Sequence, residues 1–191
     1  VILESFDAIP LTPNYILQLH KILYGRTGAT WAGKTKSVQN YISATYPDGH
    51  TETLFTPPSP FETPEALSNL CDEFRRAAGA GETDFLIAMP VFIHDFLCIH
   101  PFNDGNGRMS RLITMLLLLR NGFSVGRYIP IEERILKDGE LYYNALSASE
   151  KGWHEGEEDP EPFVRYLLGT ILAAYKDLEE RLPQAAQTQE L

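Results

Sequence analysis

Cysteine is nearly absent: Cys71 and Cys98 are the only two in 191 residues, and neither belongs to a CxxC pair. Two separated cysteines make no disulfide framework, so a reduced, cytoplasmic setting is the expectation. Long apolar runs are missing too. The longest, Leu112 to Leu119, is bracketed by Arg111 and Arg120 and is far too short to span a bilayer. Basic residues are in deficit, with 16 lysines and arginines against 26 acids and a formal net charge of −10. That balance argues against nucleic acid or an anionic membrane as a partner. Any anion bound here must be held by local groups working against the overall field. No repeat, low-complexity tract or signal-peptide pattern is legible, and the chain begins at Val1 without methionine. The expectation is one domain cut from a longer protein, with neighbouring segments missing.

What is present is helix punctuation. Thr12-Pro13 reads as an N-cap followed by proline at the first helical position, opening a helix to about Tyr24. Thr63-Pro64-Glu65 repeats that signature for a helix to about Ala78, and Thr83 is expected to cap the next. This next helix carries Phe85, Leu86, Met89, Phe92, Ile93, Phe96 and Leu97 at helical spacing. Met109 to Arg120 is apolar nearly all round, which predicts a buried central helix closed by Asn121-Gly122. Shorter helices are expected at about Ile131–Lys137 and Gly139–Ser149, and a long one from Pro160 to Arg181. The remaining residues, 183–191, read as a disordered tail. Between the first two helices, Gly25 to Lys36 is loop. Val38 to Tyr46 and Thr51 to Thr56 read as strands that turn at Pro47-Asp48-Gly49. The fold class is mainly α with one β-hairpin.

The stretch that resists a purely structural account is "IHPFNDGNGRMSR", residues 99–111. It joins two strongly apolar helices through a polar, glycine-rich connection. Gly105-Asn106-Gly107 can take positive φ and turn successive N–H groups inward as an anion nest. A helix starting at about Gly107 aims its unsatisfied N–H groups and dipole at the same volume. Arg108 and Arg111 can both reach it from the first turn. Together these make a polyphosphate site. A carboxylate there, Asp104, makes sense with a bridging Mg²⁺. His100 is the loop's one group able to exchange a proton near neutral pH, and positive surroundings would hold it neutral as a general base. Phe102 would anchor the loop in the core. Each residue alone has a plainer reading: a structural histidine, solvated arginines, an ordinary turn. None of these explains the ordered set.

The pattern H-x-F-x-[D/E]-G-N-G-R-x-x-R resembles the signature of Fic-domain proteins, matched by His100, Phe102, Asp104, Gly105, Asn106, Gly107, Arg108 and Arg111. "LHKILYG", "LLLLRNGFSVGRYIPIE", "YYNAL" and "GWHEG" extend the likeness along the chain. The resemblance implies a Fic catalytic domain over 1–182: a helical bundle with a hairpin flap at about 38–56 and the motif loop at 100–111. It implies a bacterial protein adenylyltransferase, moving AMP from ATP to a Ser, Thr or Tyr hydroxyl of a target protein and releasing pyrophosphate. His100 would be the base and Asp104 the Mg²⁺ ligand. Asn106 and the nest would hold the α-phosphate, and Arg108 and Arg111 the outer phosphates. Met109 and Ser110 complete the nucleotide-facing stretch.

By the same resemblance, Tyr142 and Tyr143 lie against the base and ribose, one touching the nucleotide and the other packing inward. Glu150 falls where some relatives carry an asparagine. The flap edge, Thr53, Leu54, Phe55 and Thr56, would pair with the target. An inhibitory helix bearing [S/T]-x-x-x-E-[G/N], whose glutamate pairs with the second motif arginine, is not found in the sequence. Either it lies upstream of Val1, as the abrupt start suggests, or on a partner protein, or nowhere. A kinase with reversed nucleotide and a non-catalytic peptide-binding module are the alternatives. His94-Asp95, on an apolar helix, reads as structural, and "HEGEEDPEP" as a solvated acidic loop.

Overall fold

The computed structural model describes residues 2–79, 81, 83–137 and 139–187. Thr12 caps the helix Pro13–Leu23 (α2) as its punctuation dictates, its hydroxyl accepting from Tyr15 N–H at 3.4 Å. A short turn of helix, Ile2–Ser5 (α1), precedes it. Two strands follow, Ile42–Thr45 (β1) and Thr51–Phe55 (β2), then helices Thr63–Gly79 (α3), Phe85–Ile99 (α4) and Asn106–Arg120 (α5). Helices Ile131–Lys137 (α6), Gly139–Ser149 (α7) and Glu161–Gln187 (α8) complete the described chain. Among the described residues no helix is long and apolar enough to cross a membrane.

The core forms around α5 because its apolar residues leave no polar face. Met109, Ile113, Leu116, Leu117 and Leu118 are all essentially inaccessible. Phe92, Phe96 and Phe102 reach it from α4 and the motif loop, and Phe163 and Leu167 from α8. α4 packs against α3, α5 and α8, and α7 lies along α8. The loop between α4 and α5 is therefore tied at both ends to the most deeply buried helices.

Several boundaries differ from expectation, each for a local reason. The α4 cap is Asp84 rather than Thr83: its carboxylate accepts from Leu86 N–H at 2.8 Å, one residue nearer the first turn. Ahead of α3, Ser59 and Glu62 form a reciprocal box, with Ser59 N–H donating to Glu62 Oε2 at 2.9 Å and Glu62 N–H to Ser59 Oγ at 3.4 Å. α8 continues past Arg181 to Gln187, because the alanine-rich stretch after Pro183 keeps good helical propensity. Of the expected tail 183–191, residues 188–191 lie outside the described residues.

The hairpin is shorter than its β-rich sequence predicts. β1 and β2 are antiparallel, with Ser43 opposite Thr53 and Thr45 opposite Thr51, and a bulge at Leu54. The turn closes through Tyr46 N–H to His50 O at 2.8 Å, with Gly49 at φ +84° where a side chain would be strained. Residues 38–41 do not join the ladder. This stretch is diverted to the motif loop, where Asn40 donates to the carbonyls of His100 and Phe102.

Candidate active site

His100 is placed by the end of α4. Its N–H still bonds to Phe96 O at 3.1 Å, but its backbone has turned to φ +48°, the one non-glycine positive φ among the described residues. Its Nδ1 lies 3.1 Å from the Leu97 carbonyl. A carbonyl only accepts, so Nδ1 carries the hydrogen and Nε2 is left as the basic nitrogen. Burial is the main cause that pushes the imidazole below its usual 6.5; the Lys36 ammonium adds to this, and the Leu97 bond opposes it. His100 is thus a neutral base at pH 7, held so by burial first and positive charge second.

After His100 the chain is fixed by Phe102 and Asn106. Phe102 points into the core and stacks on His20, ring centroids 3.7 Å apart and 5° from parallel. Asn106 is 3% exposed; its Oδ1 accepts from Phe102 N–H and its Nδ2 donates to Phe102 O, both at 2.9 Å. The Asn106 amide, expected to meet a phosphate, is instead engaged in closing the loop. Of the three residues read as a nest, only Gly105 is left-handed, at φ +88°; Asn106 and Gly107 are the first residues of α5. A Cβ at Gly105 would lie 2.6 Å from the Tyr24 hydroxyl. The stretch read as a nest is one left-handed residue followed directly by a helix N-terminus.

Asp104 meets Tyr24, which lies outside the motif, and Arg108, which lies within it. Its Oδ2 accepts from Tyr24 Oη at 2.8 Å and from Arg108 Nη2 at 3.0 Å. The Tyr24 bond is the largest of the influences that lower its pKa, and Arg108 contributes further. Tyr24 is in turn pushed up to about 12, by burial and by this carboxylate. Arg108 also donates to Tyr24 Oη and lies over its ring, 4.8 Å from the centroid. Beneath them His20 bridges two loops: Gly33 N–H donates to its Nδ1 at 2.9 Å, so Nε2 donates to Asp104 O at 3.0 Å. His20 on α2 and Tyr24 at its C-cap lie one helical turn apart, polar residues on an otherwise buried face, a signal that was there to read.

Arg111 reaches back along α5, and a Cβ on Gly107 would sit 3.4 Å from its Nη1. Its Nε donates to Glu132 Oε1 on α6 at 3.0 Å. Met109 and Ser110 are not brought to the surface of the site. Met109 is fully buried in the core, and the Ser110 hydroxyl caps back onto Gly107 O at 2.9 Å. Residues at those positions of a first helical turn point down into the bundle.

The tyrosines divide by helical phase. Tyr142 is 9% exposed and packs edge-on against Phe163 and Tyr166. Tyr143 is 66% exposed and lines a cavity of about 410 Å³ between the hairpin and α7, with Ile42, Leu54, Asn144, Ser147 and Glu150. Glu150 is largely buried there, and burial raises its pKa. Of the hairpin residues, Thr53 and Leu54 are exposed, whereas Phe55 is buried and stacks on His154, centroids 5.3 Å apart. Thr56 accepts from His154 Nε2 at 2.9 Å through its carbonyl. His94 is fully buried, its Nδ1 3.0 Å from Asp95, and Trp153 Nε1 donates to the same carboxylate. It serves the core.

A mainly helical bundle with a hairpin beside a polar loop and a helix N-terminus defines the class. The sequence profile of the Fic/DOC family matches residues 10–118, and the chain belongs to that family. It is 30% identical over 191 aligned positions to "Protein adenylyltransferase Fic" of Drosophila persimilis, covering 95% of this chain and 32% of the relative. It is 29% identical over 152 positions to "Protein adenylyltransferase fic-1" of Caenorhabditis briggsae, covering 80% and 25%. The chain thus spans about a quarter to a third of the curated relatives it matches. Among solved structures, a Fic family protein from Desulfovibrio desulfuricans G20 superposes with TM-score 0.73 at 26% identity, over 94% of this chain and 50% of that one. A Fic-domain-containing signalling protein from Bacteroides thetaiotaomicron gives 0.66 at 27%, over 92% and 66%.

Proposed function

We propose that residues 1–182 form a catalytic domain that transfers AMP from ATP to a Ser, Thr or Tyr hydroxyl of a target protein. The observation that carries this is His100: a neutral imidazole with Nδ1 committed to Leu97 O, on a loop that leads directly into the N-terminus of α5. The names of the relatives support the same reaction class. In the reaction the target oxygen attacks the α-phosphorus while its proton passes to His100 Nε2. The bond from that phosphorus to the pyrophosphate oxygen breaks, and pyrophosphate leaves with the electron pair. The free N–H groups at the start of α5 face the charge that develops on the α-phosphate.

Asp104 is the residue that would hold Mg²⁺. It is an ionised, part-exposed carboxylate, and among the described residues no cluster of three or more candidate ligands competes with it. One carboxylate with substrate phosphates is an ordinary Mg²⁺ environment. Bound there, the ion supplies charge neutralisation to the phosphates. Arg108 and Arg111 would hold the outer phosphates once each leaves its present acid, Asp104 or Glu132. A glutamate from an inhibitory helix, on a segment outside this chain or on a partner, would compete for Arg111 as Glu132 does. The cavity beside Tyr143 suits the base, and the exposed hairpin edge at Thr53 and Leu54 suits a target backbone.

The test is mass spectrometry of the protein after incubation with ATP and Mg²⁺, alone and with cell lysate, beside His100→Ala. An AMP-sized addition lost in the variant is the expected result. A phosphate-sized addition would mean a kinase with the nucleotide reversed. ATP binding with no His100-dependent addition would leave a peptide-binding module.

A further inference from the structure

Lys36 is 2% exposed, and among the described residues no carboxylate partners it. Its ammonium donates to Asn40 Oδ1 at 2.8 Å and to the Ile99 carbonyl at 3.1 Å, and its backbone N–H to Pro101 O at 2.7 Å. Asn40, with its Oδ1 taken by Lys36, turns its Nδ2 to His100 O and Phe102 O, both at 3.1 Å. Every carbonyl from Ile99 to Phe102 therefore accepts from Lys36 or Asn40. This is the stretch in which α4 stops, its last carbonyls lose their helical donors, and His100 adopts its left-handed backbone. A buried lysine is an expensive way to satisfy carbonyls that a neutral amide would also satisfy. The positive charge itself needs a role, and the His100 imidazole is a group on which it acts.

We infer that Lys36 is a positioning residue for the His100 base, holding the turn that presents the imidazole and keeping a positive charge beside it. The inference rests on the AMP-transfer reading of the site. Its electrostatic half is independently visible. On the imidazole act its own burial, the Leu97 carbonyl from α4 and Lys36 from the segment before the hairpin; among the described residues no carboxylate does. Lys36 itself is pushed down to about 8 by burial. Removing its charge makes protonation of His100 easier, so the pH below which the base is lost moves up. In the wild type, Lys36 begins to lose its own proton as the pH rises through about 8.

The experiment compares wild type, Lys36→Gln and Lys36→Met. Lys36→Gln keeps a donor for Ile99 O and guards against a variant that fails to fold. The first readout, ring-proton NMR of His100 against pH, needs no turnover. The His100 midpoint is expected to move up by about 0.5 or more in both variants, as loss of one nearby charge requires. An unmoved midpoint in folded protein would overturn the inference. The second readout is the pH profile of AMP transfer. A fall in kcat of about tenfold at pH 7, with KM for ATP within about twofold, is expected for a misplaced base. Equal losses in kcat and KM, with the acid limb unmoved, would leave Lys36 a purely structural clamp and also overturn it. If the wild type transfers no AMP at all, the proposed function fails while the NMR readout still decides the charge effect.

Discussion

The turn at 100–106 and the hairpin at 42–55 are the two polar excursions from the bundle that face the candidate site, and they are held in opposite ways. In the turn, successive backbone carbonyls have side-chain or backbone donors, Asn106 is locked to Phe102, and Phe102 is stacked between core and His20. In the hairpin most side chains are exposed or half-exposed, and Phe55 alone is buried. The difference matches what the proposed roles of the two would require. A base has to sit within a few tenths of an ångström of the proton it removes, so its loop is over-determined by buried bonds. A ribbon that pairs with a partner backbone needs only an unpaired edge, and freedom to adapt helps it.

That contrast can be broken at several points. Asn106→Ala strikes the rigid side hardest, because it leaves the Phe102 N–H buried without a partner. Chemical denaturation should show a loss of roughly 2–4 kcal/mol, and AMP transfer should fall about a hundredfold or more. An Ala variant of native stability would mean the turn is held without this amide. Thr53→Pro tests the soft side, since proline removes an N–H from the ribbon. Global stability should change by less than about 1 kcal/mol while KM for a target rises about tenfold and ATP affinity stays put. Equal damage to ATP binding would tie the hairpin to the nucleotide instead.

Tyr143→Ala should weaken ATP binding about fivefold, the value of one exposed aromatic contact, measured by calorimetry. Tyr142→Ala should instead lower stability, and a reversal of the two results would show the helical phase misassigned. The smallest effect concerns Tyr24→Phe. Because Asp104 titrates below its ordinary 3.8 when folded, its contribution is present above that value and fades as pH falls through the folded one. Denaturation midpoints of wild type and Tyr24→Phe should differ at pH 6 and converge as the pH falls below the folded value of Asp104. Parallel curves would mean that the tyrosine hydroxyl does not stabilise the ionised carboxylate.

Much of the framework was written locally. Thr12-Pro13 starts α2 because a hydroxyl cap and a fixed φ act within one turn of chain, and Gly49 turns the hairpin for the same kind of reason. The apolar run of α5 had to be buried wherever the chain put it, and the dense polar set from His100 to Arg111 marked a candidate site unaided. What tertiary structure alone decided is how those polar atoms are shared. Nothing near Lys36 or Asn40 in sequence announces that they will meet carbonyls some 60 residues away, or that Arg111 will find Glu132. Nor does the motif say that the Asn106 amide closes onto the Phe102 backbone. Periodicity records which faces are apolar, because burial is non-directional and repeats along an element. Hydrogen bonds are directional and satisfied one at a time, so their partners are fixed only when separate elements have packed.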